Sequence, residues 1–312
     1  MSDNNVLDYS SLKRRYSGLD LFRVVCALMI CMFHTTIHLG CNYGILQGIS
    51  RMGAVFMTAF FMLSGFCLFV NWAGISLTNN RVIEFWKKRV LSIIPIYWLV
   101  SLVYVAIMLA LKKETIIRTI ALAPIEIIGL QSVFHSLFGV GHNGGTWFIS
   151  CILICYFIYP YLQELIKPLS LCLRAIALII CAAILLYSPI ITLMYNIEGI
   201  YSNPFFRLLE FSIGILLASM KMDYNKTITS YKCWPVLFVT IVMTACITIA
   251  VKKNIAVGNY MLYSWICLPC FMFILFGLSG IDSEALNQSK VLKGMSGFTY
   301  AFFLAQLFSN KA

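Results

Sequence analysis

Asp20, Arg23, His34 and His38 can carry charge, protons or metal, and all four fall within the first strongly apolar stretch of the chain. That stretch, 18–40, is long enough to cross a bilayer as a helix. A charge or imidazole at membrane depth is costly unless paired or facing water, so such residues mark a functional site by default. Arg23 and His34 are eleven residues apart, close to three helical turns, which places them on one face and roughly 16 Å apart along the axis. Asp20 neighbours Arg23 on that face, and His38 lies one turn beyond His34. Read alone, the helix permits three chemistries: a proton relay in a transporter, a His-x-x-x-His metal pair, or a base acting at membrane depth. Two histidines at that spacing without a partner acid are a poor metal signal, so no metal is expected. A histidine that bonds a neighbouring helix needs no function at all.

Further candidates lie downstream. Arg81, Lys87, Lys88 and Arg89 form a basic loop before the apolar run Val90–Trp98. Such a cluster anchors a helix on the cytoplasmic side, and it equally offers an anion site for phosphates. Ser64-Gly65 suits either close helix packing or a cavity wall. Trp147 reads as an interfacial anchor or a substrate contact. Arg207 and Glu210, at i,i+3 near a span end, can neutralise one another or face a shared cavity. The twelve cysteines are scattered through apolar runs, where they act as small hydrophobes. Cys267-Leu-Pro-Cys270 has redox spacing but no thioredoxin-like context.

The elements that must position these residues follow from composition. Of 312 residues, 61% are hydrophobic and only 11% charged, where a soluble domain carries roughly a quarter charged. The fold class is therefore an all-α polytopic membrane protein. The apolar runs are continuous rather than alternating, which excludes an outer-membrane barrel. Spans are expected near 19–39, 52–72, 90–111, 146–166, 171–194, 205–220, 234–251, 256–279 and 295–312, giving about nine to ten transmembrane helices in one bundle. The stretch 119–140 holds Pro124, Glu126, Gln131 and His135, so a re-entrant or surface-lying segment is as compatible as a true span. One integral-membrane domain, 1–312, accounts for the chain, with 1–17 a cytoplasmic N-terminal segment and a terminal helix expected to be either short or truncated. With that orientation fourteen of the 23 Lys and Arg fall on inside loops. The net charge of +11 is thus explained by the positive-inside bias rather than by nucleic acid.

Five segments in order resemble the membrane-embedded acyltransferase 3 family, which moves acyl groups, usually acetyl, from acyl-CoA onto hydroxyls of bacterial surface glycans. Leu19-Asp20 through Arg23 to His34 resembles its opening helix, with arginine, ten residues, then histidine. Phe60-Phe-Met-Leu-Ser64-Gly65-Phe66 resembles its Phe-Phe-x-x-Ser-Gly-Phe segment. Phe85 to Pro95 resembles its basic loop, and Gly145 to Pro160 has the Trp147, Tyr156 and Pro160 of its fourth block. Phe206-Arg207-Leu-Leu-Glu210-Phe211-Ser-Ile-Gly214 resembles its later Arg-x-x-x-Phe-x-x-Gly element.

The resemblance implies an O-acyltransferase of the bacterial inner membrane, multi-pass with a cytoplasmic N-terminus. Acetyl-CoA is the expected donor, and an envelope polysaccharide or its lipid-linked precursor the expected acceptor. On that reading His34 and Arg23 are catalytic, and Lys87, Lys88 and Arg89 hold the donor's phosphates. Asp20, Ser64, Trp147, Arg207 and Glu210 shape the substrate cavity. Three departures stand out. Ser92 replaces the second arginine of the basic loop, Ile152 and Leu153 replace an acidic pair, and Gln306 replaces a terminal histidine. The alternatives are a proton-coupled transporter or flippase using His34, Arg23 and Glu210, and an inactive remnant. The transporter lacks visible inverted-repeat symmetry.

Overall fold

The computed structural model describes residues 16–73, 79–133, 146–195, 200–224, 234–253, 263–280 and 284–305. Among these the chain is helical, with short 3-10 turns and no strand. In lipid every backbone N–H and C=O must be satisfied within its own segment, which helices achieve. The helices are α1 (Ser17–Leu39), α2 (Gln47–Arg51), α3 (Phe56–Trp72), α4 (Asn79–Ala110), α5 (Ile116–Ile128) and α6 (Trp147–Ile166). They continue with α7 (Leu171–Tyr195), α8 (Pro204–Tyr224), α9 (Trp234–Lys252), α10 (Ser264–Leu278), α11 (Glu284–Gln288) and α12 (Lys290–Ala305).

Among the described residues six segments are long and apolar enough to cross a bilayer: Ser17–Leu39, Gly53–Trp72, Asn80–Ala110, Trp147–Ile166, Leu171–Tyr195 and Trp234–Lys252. The other predicted spans fall short of that measure for identifiable reasons. α8 is long enough but carries Arg207, Glu210 and Lys221 inside the protein. α10 and α12 are short, and 254–262 and 306–312 lie outside the described residues.

α3 and α8 form the centre. Within the spans, 83% of α3 is buried in the protein against 17% of α7. The two central helices touch backbone to backbone. A Cβ at Gly65 would meet the carbonyl oxygen of Phe211, and one at Gly214 would meet that of Met62. Around this pair, α1 packs on α3 and α12, α12 on α4, and α4 on α6. α6 and α7 pack on α8, α10 touches α3, α7 and α8, and α9 links α10 to α2, which returns to α1.

One feature departs from the sequence expectation. The basic loop is not a loop: Arg81 to Arg89 lie on the first turns of α4, which runs without a break through Pro95. Phe85 meets Trp72 edge-to-face and Tyr159 at a tilt, and Trp86 stacks on Phe157, so the aromatic residues dock this segment as helix. Within the stretch 119–140, which the sequence left open, residues 119–128 belong to α5, which ends at Gly129 in a left-handed turn (φ 73°). It ends beside the middle of α4, where Tyr97 Oη donates to the Glu126 carbonyl and Trp98 Nε1 to that of Ile127 at 2.9 Å. Those donors satisfy carbonyls that a helix end at membrane depth would leave bare. Residues 134–145, including His135, lie outside the described residues.

Candidate active site

Arg23 enters the bundle from the first turns of α1 and is held on three sides. Its Nη1 donates to Asp20 Oδ1 (3.0 Å) and to Ser296 Oγ (2.9 Å), and its Nη2 approaches Cys67 Sγ at 3.4 Å. Ser296 Oγ in turn donates to Asp20 Oδ1 at 2.8 Å, closing a network between α1 and α12. A guanidinium has five N–H donors in a fixed fork, so this arrangement fixes its plane and leaves donor capacity for a ligand.

Arg23 lines a polar cavity of about 370 Å³ enclosed by α1, α3, α4, α6 and α12. Ser64, Cys67 and Asn71 of α3, Arg89 and Ser92 of α4, Tyr156 of α6, and Ser296 and Thr299 of α12 share the wall. Ser64 Oγ bonds the Phe60 carbonyl of the preceding turn (2.8 Å) while remaining on the wall. From Asn71 to Phe60 the cavity follows eleven residues of α3, about 16 Å of helix. Phe60 and Phe148, with ring centroids 5.7 Å apart, form its apolar end.

The basic cluster divides in use. Arg89 is half-buried, with its guanidinium 5.6–5.8 Å from the rings of Trp72, Phe85 and Tyr156. Lys88 pairs with Glu84 at 2.7 Å on the surface and sits 5.7 Å from the Trp72 ring. Lys87 is exposed beside them. A surface pair of that kind adds little stability and leaves Lys88 able to meet an anion.

His34 does not lie on this cavity wall. Its ring stacks on His38 (5.7 Å, 12° between planes), and its Nδ1 is buried without a hydrogen-bond partner among the described residues. Gly53, at the start of the α3 segment, packs on Met29 and Phe33, next to His34. Phe60 lies seven residues further along α3, so the imidazole stands about 10 Å beyond the cavity's apolar end. Among the described residues no third His, Cys, Asp or Glu joins the His34–His38 pair.

Trp147, Arg207 and Glu210 form a separate centre at the same end of the bundle as His34. Arg207 Nη1 bonds both Glu210 oxygens (2.9 and 2.7 Å), and its Nε bonds the Tyr201 carbonyl at 2.7 Å. Thr58 Oγ1 donates to Glu210 Oε1 at 2.8 Å. The guanidinium lies 4.5 Å from the Tyr201 ring and 5.3 Å from that of Trp147. All three side chains are buried, and the space beside Arg207 and Glu210 is only about 20 Å³, room for about one water.

Ser296, Thr299 and Cys67 are residues that spacing did not single out. Ser296 is 273 positions from Arg23 in the chain, and a lone serine in a short apolar segment carries no local signal. The departures fall close by. Ser92 and Ile152 line the cavity, Leu153 lines the neighbouring groove, and Gln306 lies outside the described residues.

Buried charges facing a polar space within an apolar helical bundle define a membrane protein built around an internal reaction or transport site. The family model described as an acyltransferase domain, acyltransferase 3, matches residues 16–308, and the chain belongs to that family. It is also similar to the acyltransferase MdmB of Streptomyces mycarofaciens, with 24% identity over 186 residues, 54% of this chain. The match spans about half of that relative's length, 47%. No solved structure matches the chain.

Proposed function

We propose that this protein is an integral-membrane O-acyltransferase that moves an acetyl group from acetyl-CoA to a hydroxyl of a bacterial envelope polysaccharide or its lipid-linked precursor. The observation that supports this reading is the polar cavity itself. Segments far apart in sequence bring Arg23, Ser64, Arg89 and Tyr156 around one space whose length suits an extended pantetheine arm. The donor's phosphates meet Lys87, Lys88 and Arg89 at the mouth, as charge-assisted partners. Arg23 holds the arm or its terminal carbonyl deeper in. The thioester then reaches the Phe60–Phe148 end of the cavity, on the side of His34.

There the acceptor oxygen attacks the thioester carbonyl carbon while the imidazole takes its proton. The C–S bond breaks, the new ester C–O bond remains, and the CoA thiolate leaves and is reprotonated. Asp20 positions Arg23, and Trp147, Arg207 and Glu210 hold the opposite end of the bundle where an acceptor enters. The test is thiol release from acetyl-CoA by membranes carrying the protein, with and without envelope glycan. Acceptor-dependent release supports the reading. Glycan flux across sealed vesicles without CoA release would instead identify a transporter.

A further inference from the structure

The wall of the polar cavity changes character with depth, and it does so on three helices at once. On α3 it runs from Asn71 through Ser64 to Phe60, and on α4 from Arg89 and Ser92 to Ile96. On α6 it runs from Tyr156 through Ile152 to Phe148. Phosphates and amides need polar partners, whereas hydrocarbon gains by leaving water. The gradient therefore orients a CoA thioester, with its polar length along Arg89 and Tyr156 and its acyl group against the two rings. The depth from Asn71 to Phe60, about 16 Å of helix, is of the order of the pantetheine arm itself, so little room remains beyond the thioester.

The deep end is firmly backed. Phe148 is 1% exposed, with the ring of Phe61 at 5.3 Å and that of Trp147 at 6.4 Å. Phe61 and Trp147 lie in turn 5.7 and 5.3 Å from the buried Arg207 guanidinium. A longer acyl chain would push this aromatic wall onto the Arg207–Glu210 pair, and a close-packed interior resists even one added methylene.

We infer that Phe60 and Phe148 set the length of the acyl group, so that the donors are short-chain acyl-CoA thioesters and longer chains are turned away at the rings. The inference rests on the acyltransferase reading. It gives the two phenylalanines a selectivity that Arg23 and Arg89 cannot supply, because those cations meet parts common to every acyl-CoA. Phe60 is the better position to vary. It is half-buried and its ring meets one other ring among the described residues, that of Phe148, which itself also packs on Phe61 and Trp147.

The test measures dissociation constants of acetyl-CoA, butyryl-CoA and hexanoyl-CoA for the full-length protein in nanodiscs, with empty nanodiscs subtracted. The wild-type protein is expected to bind acetyl-CoA at least about tenfold more tightly than hexanoyl-CoA. Phe60→Leu narrows that ratio and Phe60→Ala removes it, while Phe148→Leu acts in the same direction. Unfolding midpoints identify the folded variants, and Phe60→Leu decides if Phe60→Ala does not fold. Equal binding of the three donors by the wild-type protein, or an unchanged ratio in a folded Phe60 variant, overturns the inference. Failure to bind any of the three removes it together with the donor assignment. Thiol release from the same donors, with envelope glycan added, tests the acyltransferase reading separately. Length-selective binding without thiol release from any donor would sink that reading and leave the role of the two rings standing.

Discussion

At His34 a buried Nδ1 with no partner among the described residues and at Arg23 a guanidinium bound on three sides make different demands on substitution. His34→Ala removes ring contacts only within α1, to Phe33 and His38, and on the proposed mechanism it removes the base. Acetyl transfer is expected to fall by about 10²–10⁴-fold with membrane insertion and yield unchanged, measured as CoA release per mole of purified protein. Full activity in that variant would remove His34 from the chemistry. Arg23→Lys keeps the charge but cannot reproduce the fork that reaches Asp20, Ser296 and Cys67 together, so it should behave nearly as Arg23→Ala. Ser92 invites the opposite experiment. Its hydroxyl bonds the Arg89 carbonyl at 2.8 Å on the cavity wall. Ser92→Arg places a second guanidinium one turn deeper, and the KM for acetyl-CoA should drop by up to about tenfold. An unchanged KM would mean that the donor's phosphates do not pass this wall.

Among the elements, α12 is the one whose role the sequence conceals. It is a peripheral helix with Val291 and Phe298 exposed, yet it closes the cavity and holds Arg23 and Asp20 through Ser296. Ser296→Ala should raise the donor KM several-fold with a smaller change in kcat, and Ser296→Thr should largely restore it, because only positioning is lost. Equal loss in both variants would point to misfolding. The α3–α8 contact is the other sensitive element. Gly65→Ala drives a methyl into the Phe211 carbonyl, a backbone atom that cannot rotate away, and should cost at least about 2 kcal/mol of stability, read as a lower unfolding midpoint in detergent. The spans of α1, α6, α7 and α9 were legible because continuous apolar runs set their own ends. So was Arg23 as a cavity residue, because a charge in such a run needs a partner or a polar space, whereas Ser64-Gly65 suited packing and cavity alike. The helical start of α4 was not legible, since basic residues at a membrane edge suit loop or helix until Trp72 and Phe157 dock them. The Ser296 contact was hidden for a different reason: long-range pairing leaves no trace in local spacing.

For the whole molecule, the two polar centres lie at opposite ends of one bundle. The Arg207–Glu210 pair is buried and surrounded by Thr58, Tyr201 and Trp147, so Glu210→Gln should destabilise by about 3–5 kcal/mol through the guanidinium it leaves uncompensated. Arg207→Met with Glu210→Leu should recover a large part of that loss. If the stable double variant keeps its acceptor KM, the pair is structural. If acceptor use disappears, the pair belongs to the acceptor path. On the proposed reading, the other end sets the sidedness of the reaction. The first turns of α1 and α4 and the last turns of α3 meet there around the cavity mouth, beside Lys87 and Lys88. Positive charge collects on the cytoplasmic side of a membrane, which is also where a charged, impermeant CoA ester is available. Inside-out vesicles should therefore release CoA from added acetyl-CoA, and sealed right-side-out vesicles should do so only after permeabilisation. Activity in the intact right-side-out preparation would reverse the orientation and move the donor's entry to the Arg207 end, where the space of about 20 Å³ is too small to admit a pantetheine arm without rearrangement.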